Sequence, residues 1–506
     1  MADTLFCNGT ILDGTGAAPI HADILTRGER ILQIGPVLQS ASATVVDCRG
    51  LTLTPGFIDS HTHSDLQVLD GRTEKLRQGV TTEVVGNCGF SAYPPAHEPG
   101  DLRSFANGIF CGDEEWGWPS TEAYLRAIAD SRTANVVSLV GHGSLRIAVA
   151  GSKQGSLSEA EVTSMESLLA EALDAGAAGL STGLMYAPGS SAPTDELQRL
   201  CNVTARKGKI YTSHIRSYFS GLVDAIEEQL GLARHSGGRL QISHLQAVGA
   251  SNWHLHRKSI DTMERANAEG IDVEFDCYPY VAGSSVLTQL LPQSALDGGL
   301  SQLLQRLRNP PQRQGIRDEL ARSIPWHWSD IYISSVGSEA NLSAIGKTLV
   351  QIAEERGKEP ADVVLELLDE EEGDATMLCF NQSAENLRMS LQHPFATIIS
   401  DGFYVKGRPH PRLHGTFPLL LGTYSRDKGW LSLAEAVHKI TGKPAARYAL
   451  KDRGILAPGY FADIVAFRAE AIDSPATYDS PKQAPLGIHS VYRNGESATP
   501  LLTYAA

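Results

Sequence analysis

Apolar positions in this chain follow two different rhythms. Over the first 50 residues short apolar runs alternate with glycine-containing turns: TLFCNGTILDG, HADILTRGERILQIG, ATVVDCRG and LTLTPG. This pattern predicts antiparallel strands too few to bury a core alone. A similar texture returns near the other end in GILAPGYFADIVAF and IHSVYRNG. The two ends of a domain often lie close together, so both fragments are expected to pair into one small β-domain.

Between them, β-branched apolar runs alternate with helix-like segments, the signature of βαβ units around a parallel sheet. Eight strands are predicted: GFIDSHTH from Gly56, GVTTEVVGNCG from Gly79, NVVSLVGHG from Asn135, AAGLSTGL from Ala177, KIYTSHIRS from Lys209, RLQISHLQ from Arg239, IDVEFDCYPY from Ile271 and ATIISDG from Ala396. The helical stretches EAEVTSMESLLAEALDAG and GLVDAIEEQLGLARHSGG stop at Gly176 and Gly237, a usual C-terminal signal. Eight such units point to a large TIM-type barrel. The long gap between the seventh and eighth strands reads as an inserted subdomain.

Composition narrows the function classes. The 506 residues carry 43 Lys plus Arg against 58 Asp plus Glu, a formal charge of −15 that argues against nucleic acid or an anionic membrane as partner. Hydrophobic content of 42% with 20% charged residues is that of a globular protein. Cysteines at 7, 48, 88, 111, 201, 277 and 379 are odd in number and lack C-x-x-C spacing, which fits reduced thiols and a cytoplasmic location. The N-terminus lacks a basic segment followed by an apolar one, and no run approaches a membrane span. Oligomeric state, including a homo-oligomer, is left open.

Candidate chemistry gathers at the C-terminal ends of the predicted strands, where barrel enzymes place their sites. The first strand ends in His61-Thr62-His63, and side chains two apart on a strand share a face. Equivalent ends carry Cys88, His214, His244 and Asp401. Imidazole, thiolate and carboxylate together suit zinc, with iron, cobalt and manganese left open by the side chains. No lysine on the fourth strand is available for carbamylation, so Cys88 is the candidate for bridging two ions. Tyr186 and His142, also at strand ends, are candidate donors to a substrate carbonyl or oxyanion.

GFIDSHTHSD, GVTTEVVGNCGFS, GLMYAPG, SHIRS, ISHLQ, SDG with RPHPRLHGTFP, and GKPAARYALKDRGILAPGYFADIVAF, in that order, resemble the N-acyl-D-amino-acid deacylase (D-aminoacylase) family of the amidohydrolase superfamily. The resemblance implies a (β/α)8 barrel over 56–414 with an insertion about 288–345. It also implies a small β-sandwich built from 1–55 and from 415–506, the latter including a C-terminal tail. It further implies one tightly bound zinc on Cys88, His214 and His244. A second, often weakly occupied position would use His61 and His63 and share Cys88 and Asp401. Asp401 matches the family's catalytic aspartate, the expected acceptor of the water proton and donor to the leaving amine. Tyr278, Tyr280, Ser284 and Ser285 fall where the family lines its substrate pocket. Arg408 and Arg412 match positions near the site, and one guanidinium would suit a substrate carboxylate.

Two positions depart from the family. The usual S-H-L-K, whose lysine helps hold the substrate's α-carboxylate, reads here with Gln246. The usual H-x-R-x-E reads His214-Ile215-Arg216-Ser217-Tyr218, with an aromatic in place of the acid. Two enzymatic readings follow: hydrolysis of N-acyl-D-amino acids or related N-acyl amines, and hydrolysis of a neutral N-acyl compound lacking the carboxylate. A non-catalytic scaffold is disfavoured by the intact set of ligand types.

Overall fold

The computed structural model describes residues 3–96, 98–110, 116–324 and 326–498. Cys111 and the C-terminal tail beyond 498 lie outside them. All eight strands expected of the central region are present and parallel. We number these β1 (Phe57–Asp59), β2 (Val80–Val85), β3 (Asn135–Ser138, continued by Val140–Gly141), β4 (Gly179–Gly183), β5 (Ile210–His214), β6 (Arg239–Ile242), β7 (Val273–Cys277) and β8 (Ala396–Ile398). They form two ladders, one of β1 to β3 and one running from Val140–Gly141 through β4, β5, β6 and β7 to β8. The ladders meet at two seams. At one, Ala178 N–H donates to Ser138 O at 2.8 Å. At the other, Thr62 bridges Gly402 and Asp401 N–H donates to His61 O at 2.9 Å.

Register follows from burial. All six residues of β2 are buried, as strands covered on both faces require. In the second ladder Gly183 stands beside His214 and Ser213 beside Ile242, which brings successive strand ends to one level. The helix Glu159–Asp174 opens on a capping box between Ser158 and Glu161, and Leu222–Ser236 stops at Gly237, whose left-handed φ of 69° suits glycine. Helices α1 (Pro99–Phe105), α2 (His142–Ala150) and α3 (Arg412–Leu419) flank the strand ends that carry the candidate residues.

The two chain ends share one eight-stranded sheet, in which Thr52–Pro55 pairs antiparallel with Ile464–Phe467. One expectation is corrected here. Asp3–Ile11 is antiparallel to Ile20–Arg27 but parallel to both Thr44–Asp47 and Thr52–Pro55. The segment 36–43 carries the chain from the far side of the sheet across to the other flank of the first strand, so it returns in the same direction. Phe6, Ile24, Leu53 and Ile464 form this sheet's apolar cluster.

Between β7 and β8, three antiparallel strands, Ala282–Val286, Ile331–Val336 and Ala375–Phe380, extend on both sides of 288–345. With their helices they enclose a separate apolar cluster around Leu303, Leu320, Val364 and Leu368. No helix among the described residues is long and apolar enough to cross a membrane.

Candidate metal centre and active site

Each strand end delivers its side chain through a specific local device. Cys88 sits in the turn after β2, where Asn87 Nδ2 donates to Val84 O at 2.8 Å and Gly89 N–H donates to Ser181 Oγ at 3.0 Å. Gly183 lets this turn press against β4: a Cβ there would lie 1.9 Å from Cys88 O. Cys88, His244 and Asp401 adopt left-handed φ of 53°, 35° and 48°. Non-glycine residues rarely do so, and such strain concentrates at functional sites.

The six candidates converge. Cys88, His214 and His244 offer ligand atoms within 4.8 Å of one another, as do His61, His63 and Cys88, and His61, His244 and Asp401, all of them buried. Cys88 Sγ lies 3.2 Å from His61 Nε2 and 3.5 Å from His244 Nε2. Asp401 Oδ1 lies 3.4 Å from His61 Nε2 and 3.3 Å from His63 Nε2. Neither ring nitrogen of His214 makes a hydrogen bond among the described residues, although the ring is buried. A buried imidazole with both nitrogens unsatisfied beside a thiol and a second imidazole is a donor set that fits zinc.

Electrostatics agree with that set. Burial opposes a Cys88 thiolate, but His61 and His244 outweigh it and hold the thiol well below its ordinary range. Burial likewise opposes ionisation of Asp401, yet Arg412 and then His63 keep it well below the usual carboxylate range. Burial lowers the proton affinity of His214, leaving the neutral imidazole that a metal needs. His63, held against Asp401 despite burial, is raised to about 9.

Three supporting groups escaped the sequence reading. Asp276 on β7 accepts from the His244 backbone N–H at 2.6 Å and lies 3.5 Å from His61 Nδ1, orienting two imidazoles at once. Asp59, Lys75 and Ser400 form a buried network beneath β1 and β8, in which Ser400 N–H donates to Asp59 Oδ1 at 3.0 Å. Tyr218, noticed only as a departure, sets its ring against His214 and His244 and donates its hydroxyl to Ser243 O at 2.9 Å. The alternation of polar residues along IDVEFDC was the one available signal for Asp276.

A cavity of about 70 Å³ opens on this cluster. Tyr186, Gln246, Tyr278, Ser284 and Arg412 line it beside His63, Cys88, His214, His244 and Asp401. Tyr278 donates to Gln246 Oε1 at 3.1 Å, and the Arg412 guanidinium stacks 4.7 Å over the Tyr278 ring. Three predicted substrate residues stand elsewhere. His142 and Arg146 share a buried contact with Glu196, at 2.8 and 3.0 Å. Arg216 is taken by Glu228 and by the carbonyls of Ser190 and Ala192, so it braces the loop after β4. Arg408 pairs with Asp479 at 3.1 Å. Carboxylates thus claim the charges of Arg216 and Arg408, while burial holds the His142 ring below its ordinary range beside Glu196. Tyr280 also falls outside the cavity lining, packed on His410.

The chain is similar to known proteins over nearly its whole length. A model of the amidohydrolase family matches residues 44–275 and 359–498, leaving most of the insertion unmatched. D-aminoacylase of Alcaligenes xylosoxydans xylosoxydans is 37% identical over 498 residues, 97% of this chain and 93% of that protein. The structure of N-acyl-D-glutamate deacylase from Bordetella bronchiseptica, complexed with zinc and a phosphonate mimic of the tetrahedral intermediate, superposes with a TM-score of 0.84 at 33% identity, covering 99% of this chain and 97% of that one. A D-aminoacylase structure described for its binuclear metal centre, with one-metal activation and second-metal attenuation, gives 0.83 at 34% identity, covering 98% and 96%. This chain belongs to the amidohydrolase family, within its N-acyl-D-amino-acid deacylase (D-aminoacylase) group.

Proposed function

We propose that this protein is a zinc-dependent hydrolase of the amide bond in N-acyl-D-amino acids or related N-acyl amines. The observation that carries the reading is the convergence of His61, His63, Cys88, His214, His244 and Asp401 on one buried cluster at the strand ends. Cys88, His214 and His244 would hold the tightly bound ion, and His61 and His63, with Cys88 and Asp401, frame a second position. When bound, zinc supplies Lewis-acid polarisation of the amide carbonyl and lowers the pKa of its water towards about 7.

The chain's own residues do the rest. Asp401 takes a proton from the attacking water at a carboxylate oxygen and returns it to the amide nitrogen as the C–N bond breaks. The bond's electron pair stays on nitrogen, and the products are a carboxylic acid and a free amine. Tyr186, whose ionisation is suppressed first by burial and then by Cys88, keeps its hydroxyl proton for donation to the carbonyl oxygen. Tyr278, Gln246 and Ser284 hold the amine half.

This reading takes the parallel strands as a closed (β/α)8 barrel, supported by the contacts at both seams, and the end sheet as part of a small sandwich. A cytoplasmic location is supported by Cys7, Cys48, Cys88, Cys201, Cys277 and Cys379, all free thiols. Elemental analysis of purified protein, with turnover of paired D- and L-substrates, tests the function. Stoichiometric zinc and D-selective release of amine are expected. Absence of zinc, or full turnover by Asp401→Asn, overturns it.

A second reading, a neutral N-acyl substrate, is favoured by one observation. Around the cavity Gln246, Gln289, Asn381, Ser284 and Ser285 are uncharged, and the guanidinium of Arg412 lies 2.9 Å from Asp401. A carboxylate would compete with Asp401 for that one guanidinium.

A further inference from the structure

A second cavity of about 240 Å³ adjoins the first across Ile109, Met185, Tyr186 and Gln289, which line both. The reaction cavity, at about 70 Å³, is less than half the roughly 150 Å³ that accepts a benzene ring, whereas its neighbour exceeds that figure. Its wall is mainly apolar, with Phe90, Phe105, Ile147, Val286, Leu300 and Leu303 among its residues. Among the described residues it has no lysine, arginine or histidine, and Asp101 is its carboxylate.

The placement of the two cavities assigns the occupant. Gln246, Tyr278 and Arg412, the groups suited to the amine half, follow β6 and β7 or stand on α3. The second cavity lies on the other side of Tyr186, against α1, α2 and the loop after β4, with the insertion closing it. A substrate whose amine half faces Tyr278 and Gln246 directs its acyl half past Tyr186. We propose that this chamber is an acyl-binding site for an extended, uncharged apolar group, such as a medium-chain or arylacetyl substituent. This inference rests on the amide-hydrolase reading above. The absence of a cation and the presence of Asp101 select against acyl groups ending in a carboxylate.

The experiment is a kcat/KM series on one amine, with N-acetyl-, N-hexanoyl-, N-phenylacetyl- and N-succinyl-D-leucine as probes, alongside N-acetyl derivatives of D-alanine, D-leucine and D-phenylalanine. The hexanoyl and phenylacetyl substrates should exceed the acetyl one by about tenfold or more, chiefly through KM, because each methylene leaves water. The succinyl substrate should not gain. Ser104→Trp, at an exposed position on α1, and Leu300→Trp, on the insertion's part of the wall, should each cancel the gain and leave acetyl turnover unchanged. A flat acyl series with good turnover overturns the chamber assignment alone. A series that tracks the amino-acid side chain instead, with the tryptophan variants cancelling that trend, overturns it in favour of the amine half. No hydrolysis of any probe by zinc-replete protein overturns the amide-hydrolase reading itself.

Discussion

Arg412 Nη1 lies 2.9 Å from Asp401 Oδ2, and the two side chains are 1% and 10% exposed. The same carboxylate's other oxygen faces His61 and His63. Asp401 is thus held between a fixed cation on α3 and the two imidazoles that follow β1. Removing the cation leaves a buried charge without its partner, which costs about 3–5 kcal/mol in comparable sites. Arg412→Met should therefore lose stability in urea titrations and at least about 100-fold in kcat/KM. Arg412→Lys, which keeps the charge and loses the planar fork, should recover only part of both.

Asp401→Asn keeps the side chain's shape and removes its capacity to take a proton. Turnover should fall about 10²- to 10⁴-fold while zinc at Cys88, His214 and His244 is retained. Parallel kinetics and elemental analysis separate a lost proton carrier from a lost ion. A variant that loses zinc in proportion to activity would contradict the assigned role.

Metal affinity should depend on a residue that is not itself in the ligand set. Asp276 orients the His244 turn and faces His61, so Asp276→Asn should weaken zinc binding about 10- to 100-fold in chelator competition. Cys88→Ser should weaken it further, because the thiolate is replaced by a poor ligand.

Specificity should respond at Gln246. Gln246→Lys places an ammonium near Tyr278, and KM for N-acyl-D-amino acids bearing a free carboxylate should fall about tenfold, a gain of 1.4 kcal/mol. Uncharged N-acyl amines should gain nothing. An unchanged KM for the acids would argue that Arg412 alone serves the carboxylate.

Stability should fall on mild acidification through His256. This ring is buried between α-helical segments, with Nε2 2.8 Å from Ser390 Oγ, and burial lowers its pKa to about 4. The unfolded chain binds the proton near pH 6.5, so between about 6.5 and 4 the unfolded state holds more protons than the folded one. Stability contributed by the neutral ring is complete above pH 6.5 and is lost as pH falls towards 4, by up to about 3 kcal/mol. Urea midpoints at pH 7.5 and pH 5 measure it. His256→Gln should show a correspondingly smaller difference between the two.

The eight parallel strands were legible in the chain because short apolar runs, many of them β-branched, alternate with helix-like segments, and every one of the six candidate ligands sits at the end of such a run or just after it. Asp276 was not legible: an acid within a strand reads the same whether it faces solvent, a helix or an imidazole. The fates of His142, Arg216 and Arg408 were equally hidden, since Glu196, Glu228 and Asp479 are 54, 12 and 71 residues away along the chain. The parallel pairing inside the end sheet depended on where residues 36–43 cross, which alternation of polar and apolar positions does not encode.

By itself the sequence determined the strand rhythm, the ligand types and their place at strand ends, because side-chain periodicity and turn chemistry are local properties. Only the tertiary structure decided which charges are already spent on partners, which carboxylate orients the histidines, and that a second, larger apolar chamber opens beside the cluster. Those outcomes depend on distances between groups far apart in the chain, and distance sets both electrostatic strength and the space left for a substrate.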